Sequence, residues 1–276
     1  MDFYLSDLDF TLLRSDQSLG DLTREVWNEA VGRGMKLSIA TARSLTGAKK
    51  LLQGLHLAEP MILLDGVMIA RHDGRILHLA AIERDLGDAI IEEMARAFGQ
   101  YPLLVGLDAG GLERFVYPKR RTACHEKLLK TFHNDRRLID AEPFRAMDRN
   151  LKLVYLGDDW TTHAMENLLN ASFGETIETK RSEDPYIDCW FLTVLDARGD
   201  KAHALAKLEE MEAVDRARTT VFGDSFNDLG LFKMAGRKIA VANAVEAIKR
   251  AADIVLPYSN DDEGVARFLA KELDDE

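Results

Sequence analysis

Apolar positions along the chain fall into short continuous runs separated by helical stripes. Phe3-Tyr4-Leu5 has the pattern of a buried strand. Leu22, Val26, Ala30 and Val31 share one helical face that ends at Gly34, and Leu37-Ser38-Ile39-Ala40 is again strand-like. A helix over about 45–55 and a strand at Met61-Ile62-Leu63-Leu64 continue the alternation. Strand, helix, strand, helix, strand predicts a parallel sheet with right-handed crossovers and helices on its faces. Residues 67–70 and 75–79, separated by His72-Asp73-Gly74, predict a hairpin.

The middle of the chain changes character. A helix over 83–98 carries Leu86, Ile90, Met94 and Ala97 on one face, followed by strand-like segments at 103–107 and 112–117. A helix at 126–132, a strand at 151–156, a helix at 161–169 and strands at 176–180 and 187–194 complete a pattern that fits a separate α+β domain. Beyond Asp196 the first grammar returns, with a helix over 201–211, a strand at 219–222, a helix from Ser225 and strands at 238–241 and 254–256. The expected fold is α/β: a doubly wound parallel-sheet core built from residues 1–82 and 189–276, with an α+β domain, 83–188, inserted between them. No repeats or low-complexity segments interrupt it, and Asp274-Asp275-Glu276 reads as a frayed tail.

Four short segments put ionisable groups where a strand hands over to a loop or a helix begins: Asp7-Leu8-Asp9-Phe10-Thr11, Thr41-Ala42-Arg43, Lys201, and Gly223-Asp224-Ser225-Phe226-Asn227-Asp228. Ligands of open parallel sheets bind at the carboxyl ends of the strands, so the four can converge. Burying carboxylates there is costly unless a cation or donors compensate. Asp7 has the position of a nucleophile toward phosphorus, since a carboxylate forms an acyl phosphate and splits one displacement into two. Asp9, on the same side of an extended chain, can protonate the leaving oxygen and later activate water. Mg2+ takes hard oxygen ligands, for which Asp7, the carbonyl of Asp9 and Asp224 suffice with a phosphate oxygen, while Asp228 orients metal-bound water. Thr41 and Lys201 supply a hydroxyl and an ammonium to the equatorial phosphate oxygens, and Arg43 adds to that clamp.

Composition narrows the partners. A net charge of −11 on 276 residues argues against nonspecific nucleic-acid binding and against anionic membrane surfaces. No apolar run approaches the ~20 residues of a membrane helix, and Met1-Asp2-Phe3 runs into the first strand rather than a basic signal segment, so a cytoplasmic location is expected. Cys124 and Cys189 lie in different predicted elements without C-x-x-C spacing, so two buried free thiols are expected rather than a disulfide or a zinc site. His125-Glu126 begins like a zinc-protease helix, but Leu129 stands where His is required. The glycine and distal glutamate of a calcium loop are missing, and no nucleotide P-loop occurs. Lys119-Arg120-Arg121 reads as solvated surface, and Trp160, Trp190 and the phenylalanines as core residues.

The four segments together resemble the haloacid dehalogenase superfamily of phosphotransferases, with motifs Asp-x-Asp-x-Thr, Thr or Ser, Lys, and Gly-Asp-x-x-x-Asp. The resemblance covers nearly the whole chain. Gly223 to Asp228, Ala242-Asn243-Ala244, Ala252-Asp253 and Glu263-Gly264-Val265-Ala266 narrow it to the Cof-like sugar-phosphatase branch. It implies Asp7 as nucleophile, Asp9 as acid/base, Lys201 as a catalytic cation, and Thr41, Arg43 and Asn227 as substrate contacts. It also implies Mg2+ held by Asp7, Asp9 and Asp224, with Asp228 behind them. The 34 residues from Asp7 to Thr41 leave room for one helix and one strand, whereas the 160 from Thr41 to Lys201 accommodate a cap, as in the type IIB arrangement. Phe10 and Ala42 stand where Gly is usual, and Asp65 where Asn usually precedes Gly66.

The resulting expectation is a cytoplasmic, Mg2+-dependent phosphomonoesterase, a monomer or small homo-oligomer, acting on a small phosphorylated metabolite, a sugar phosphate, through an aspartyl phosphate. The middle domain is expected to cover the site and select the substrate. A phosphomutase of the same superfamily would use the same residues without accumulating inorganic phosphate, and a non-catalytic magnesium-binding module would need none of the acid/base set.

Overall fold

The computed structural model of the chain describes residues 2–132, 135–184, 187–212 and 214–274. Two compact units emerge: one from Met1–Leu79 and Asp200–Glu276, the other from Ala80–Gly199. The first begins with β1 (Phe3–Ser6), α1 (Asp21–Gly32), β2 (Lys36–Ile39), α2 (Leu45–Leu51), β3 (Met61–Leu63), β4 (Met68–Ala70) and β5 (Ile76–Leu79). The second comprises β6 (Ile82–Glu83), α3 (Arg84–Phe98), β7 (Leu103–Leu107), β8 (Glu113–Pro118), α4 (Ala123–Thr131), β9 (Leu138–Ala141), β10 (Arg149–Gly157), α5 (Asp159–Phe173), β11 (Ile177–Asp184) and β12 (Cys189–Asp196). The first unit resumes with α6 (Lys201–Glu212), β13 (Thr219–Gly223), α7 (Leu229–Met234), β14 (Arg237–Ala240), α8 (Glu246–Ala251), β15 (Ile254–Val255) and α9 (Gly264–Asp274).

In the first unit, β15-β14-β13-β1-β2 form an all-parallel sheet. Its central strand, β1, is buried along its whole length, which is why it reads as a continuous apolar run rather than an alternating one. Register places Ser6 opposite both Phe222 and Ile39, so the three strands end at one edge. On one face Phe222 meets Phe268 of α9 edge-on at 5.4 Å between ring centroids. The stripe Val265, Phe268, Leu269, Leu273 gives α9 its buried side, a legible spacing that the sequence reading left unassigned.

The predicted third parallel strand behaves differently. β3 pairs antiparallel with β4, and β4 with β5, in a small separate sheet. Only the bridge between Ala40 and Ile62 continues the parallel sheet. The short connections of the hairpin favour antiparallel pairing and take up the edge of β3.

The second unit is α+β. Its sheet runs β11-β12-β10-β7-β8-β9, with β6 against β10; β8 and β9 are parallel and the other pairs antiparallel. α3 and α5 cover it through Ile90, Ile91, Met94, Met165 and Leu169, packed on Leu104, Leu153, Tyr155, Leu192 and Val194. β9 had no counterpart in the sequence reading. β12 pairs with β10 and β11, so the unit ends at Gly199 rather than at residue 188.

Three expectations need correction. Cys124 and Cys189 are joined in a disulfide, so neither is a free thiol. They are 65 residues apart in sequence, and only folding brings their Cα atoms to 6.1 Å, within bridging range. Trp160 is 78% exposed, because the first turn of α5 turns it to solvent, while half-buried Trp190 stacks under the Arg181 guanidinium at 4.4 Å. Phe226 is likewise exposed rather than buried. Of the acidic end, Asp274 closes α9, and residues 275 and 276 lie outside the described residues, as does Met1.

The disulfide closes a long loop and removes conformational freedom from the unfolded chain. Reduction is therefore expected to lower the stability of the second unit by about 2–4 kcal/mol. Urea unfolding of the full chain with and without reductant measures this, and superimposable transitions would contradict the linkage.

Candidate functional site

The parallel sheet of the first unit sets the position of the candidate residues. Asp7 follows β1 directly and its amide donates to the Phe222 carbonyl (3.0 Å), while Asp224 follows β13 and Thr41 lies just past β2. After Asp7 the chain makes one widened turn, Leu8 to Leu12, closed by the Leu13 amide on the Leu8 carbonyl (2.8 Å). That turn carries Thr11 to Asp224, where its hydroxyl donates to Oδ1 at 3.0 Å. Thr11 had no assigned role, although its place in the Asp-x-Asp-x-Thr segment was the signal.

The 223–228 loop is organised by Asp228. Its Oδ2 accepts from the amides of Asp224 (3.1 Å) and Ser225 (3.3 Å), and the side chain is fully buried. Gly223 permits this closure, since a Cβ there would come within 2.6 Å of Asp228 Oδ2. Asn227, expected at the substrate, accepts from the Ser225 hydroxyl at 2.7 Å within the same loop.

Lys201 opens α6 and is almost completely buried. Its ammonium donates to Asp7 Oδ1 (2.5 Å) and Asp228 Oδ1 (2.7 Å). The turn Leu64-Asp65-Gly66, all with positive φ (52°, 62° and 120°), meets the chain just before it. Gly66 bridges Asp200, where any Cβ would meet the Asp200 carbonyl carbon at 2.1 Å. The same turn is tied to the second segment, as the Asp65 amide donates to Thr41 O and the Leu64 amide to Arg43 O, both at 3.0 Å.

Asp9 lies apart from the carboxylate cluster. Arg43 forks onto it, Nε to Oδ2 at 2.8 Å and Nη2 to Oδ1 at 2.6 Å. Thr41 Oγ1 accepts from the Arg43 amide at 3.2 Å and is buried. The hydrogen bonds that Arg43 donates to Asp9 raise the affinity of the guanidinium for its proton.

Asp7, Asp224 and Asp228 bring carboxylate oxygens within 4.8 Å of one another. Against three carboxylates Lys201 supplies one positive charge, a formal excess of two negative charges in a buried place. Burial pushes the Asp7 carboxyl well above the usual carboxylate range, opposed by Lys201 and reinforced by Asp228. Asp224 is pushed up to about 6 by burial and by the Asp228 charge, while Thr11 pulls the other way. Burial works against the charge on Lys201, but Asp228 and Asp7 outweigh it and keep the ammonium protonated. Excess buried negative charge on hard oxygen donors fits a divalent cation such as Mg2+, with Asp7 and Asp224 as holders and Asp228 bound to backbone and lysine.

The raised Asp224 value has a sign that can be tested. A carboxyl that binds its proton more tightly when folded contributes stability that is complete below about pH 4 and is lost as pH rises through about 6. Without divalent ions, Asp224→Asn is therefore expected to gain thermal stability relative to wild type between pH 4 and 7, and added Mg2+ to narrow that gap by stabilising only the wild type. Melting curves of both proteins across this range decide it, and a difference independent of pH would refute the assignment.

With this geometry in view, similarity to known proteins is informative. A family model for haloacid dehalogenase-like hydrolases matches residues 4–269. The chain is 26% identical over 283 residues to the 5-amino-6-(5-phospho-D-ribitylamino)uracil phosphatase YitU of Bacillus subtilis (strain 168), covering 95% of this chain and 94% of that protein. It is 26% identical over 272 residues to an HMP-PP phosphatase of Enterobacter sp. (strain 638), covering 97% and 94%. A haloacid dehalogenase-like hydrolase from Bacteroides thetaiotaomicron has the same fold, with a TM-score of 0.79, 23% identity and coverage of 98% of this chain and 99% of that one. The resemblance drawn from the motifs therefore holds along the chain, which belongs to the haloacid dehalogenase-like hydrolases.

Proposed function

We propose that the protein is a Mg2+-dependent phosphomonoesterase of small phosphorylated metabolites, a sugar phosphate among them, working through a phosphorylated Asp7. The observation that carries this reading is the buried set of Asp7, Lys201, Asp228 and Asp224 at one end of the parallel sheet. The relatives named as phosphatases of small phosphorylated compounds support it.

In this reading Lys201 holds Asp7 by one oxygen, leaving Oδ2 to attack phosphorus as the bond to the ester oxygen breaks. Asp9 gives its proton to the departing oxygen; it later takes one from water, which attacks the acyl phosphate and frees Asp7 and inorganic phosphate. Bound Mg2+ supplies charge neutralisation for the approach of a phosphate dianion to carboxylates. Thr41 and Lys201 offer donors to the phosphoryl oxygens. The fork of Arg43 orients the Asp9 carboxylate, and its guanidinium is the cation for which an incoming phosphate dianion competes. The second unit, contiguous in sequence and separate from these residues, is the part proposed to choose the leaving group. Release of inorganic phosphate separates this activity from phosphoryl transfer back to substrate.

Asp7→Asn is expected to leave the melting temperature close to wild type or above it and to reduce phosphate release at least a hundredfold. A smaller fall removes Asp7 as nucleophile. Chelation should abolish turnover, with Mg2+ restoring it and Ca2+ restoring it poorly because its looser coordination misplaces the attack; full activity in excess chelator would sink the metal assignment. Arg43→Lys keeps the charge but loses the two-pronged contact. It is expected to lower kcat/KM about tenfold or more. An unchanged kcat/KM would disconnect the two-pronged contact from the reaction.

A further inference from the structure

Two aromatic side chains beside the buried acids lie open to solvent. Phe10, next to Asp9, is 53% exposed, and Phe226, two residues after Asp224, is 67% exposed. The hydrogen bond from Thr11 to Asp224 fastens together the two segments that carry them. Phe10 also occupies the left-handed region, with φ of 57° and ψ of 9°. Asn243 holds it there, its Nδ2 donating to the Phe10 carbonyl at 2.8 Å, while its Oδ1 accepts from the Asn260 amide at 2.9 Å.

Each feature is unfavourable for the folded chain alone. An aromatic residue in left-handed backbone is strained where glycine is not, and an exposed ring forgoes the burial that normally stabilises it. Strain and exposure at one residue next to a reacting group point to a ligand. Among ligands of a phosphoryl site, the group that gains from two ring faces or edges at the mouth is a flat, unsaturated ring.

Resting on the phosphomonoesterase reading, we infer that Phe10 and Phe226 form a leaving-group subsite for phosphate esters whose alcohol portion carries a planar aromatic or heteroaromatic ring close to the ester oxygen. The buried acids, Lys201 and Thr41 take the phosphoryl end, and the two phenylalanines take the ring.

Binding of non-hydrolysable phosphonates tests this without turnover. Calorimetry of the full chain with Mg2+ would compare benzylphosphonate with ethylphosphonate, which share the anion and differ in the ring. Wild type is expected to bind the benzyl compound about tenfold more tightly. Phe10→Gly and Phe226→Ala should each remove most of that preference, with ethylphosphonate affinity held within about twofold. Phe10→Leu, apolar but not planar, should also lose it. Phe10→Gly should melt no lower than wild type, since glycine relieves the left-handed strain, so that lost preference is not unfolding. Equal affinity of wild type for the two phosphonates, no binding of either, or a preference that survives in Phe10→Gly would each overturn the subsite. Failure of the phosphomonoesterase reading registers elsewhere, as undiminished phosphate release by Asp7→Asn.

Discussion

The site depends on one buried ammonium. Lys201 is held between Asp7 and Asp228, and each of those carboxylates organises a different part of the chain. Asp7 begins the turn that brings Thr11 to Asp224, and Asp228 gathers the amides of Asp224 and Ser225. Removing the ammonium would leave three carboxylates close together in a buried place with no positive charge among them, a situation that proteins resolve by protonation, water entry or a bound cation. The lysine thus holds the acids near enough to one another to create a demand for a second positive charge, without meeting that demand itself.

That balance explains why carboxylates can serve chemistry here at all. A fully neutralised cluster would have no affinity for a metal ion, and an uncompensated one would not stay folded. One ammonium against three carboxylates lies between the two. Arg43 makes the complementary arrangement at Asp9, a fully paired and half-exposed carboxylate only two residues from Asp7. Two aspartates adjacent on one strand end therefore occupy different electrostatic environments, which is what separate roles as nucleophile and acid/base require.

Much of this was legible locally. The strand before Asp7 is a continuous apolar run, the spacing from Gly223 to Asp228 marks a loop closed by its own carboxylate, and the long interval before Lys201 announces an inserted domain. What escaped was non-local. The partner of Arg43 is 34 residues away, and no pattern around Thr41-Ala42-Arg43 says that the guanidinium turns to Asp9. The disulfide joins a helix to a strand 65 residues later, and its two cysteines lack any spacing signal. β3 looked like its parallel neighbours, because an apolar run does not reveal which edge will accept it. Trp160 and Phe226 were assigned to the core by residue type, but the turns that carry them decide their exposure. Hydrophobicity predicts burial on average, and a functional rim is where the average fails.

The order of strands in the first unit bears on how the protein is made. β1 lies between β2 and β13, so the sheet cannot close until residues 219–223 have left the ribosome. Residues 80–199, by contrast, are one uninterrupted stretch whose core cluster, among the described residues, is built from its own side chains. During synthesis the inserted unit can reach its native contacts while the N-terminal strands still wait for their partner. The inserted stretch can then fold ahead of the sheet that flanks it in sequence, and the apolar strand beside Asp7 is the one left longest without its partner.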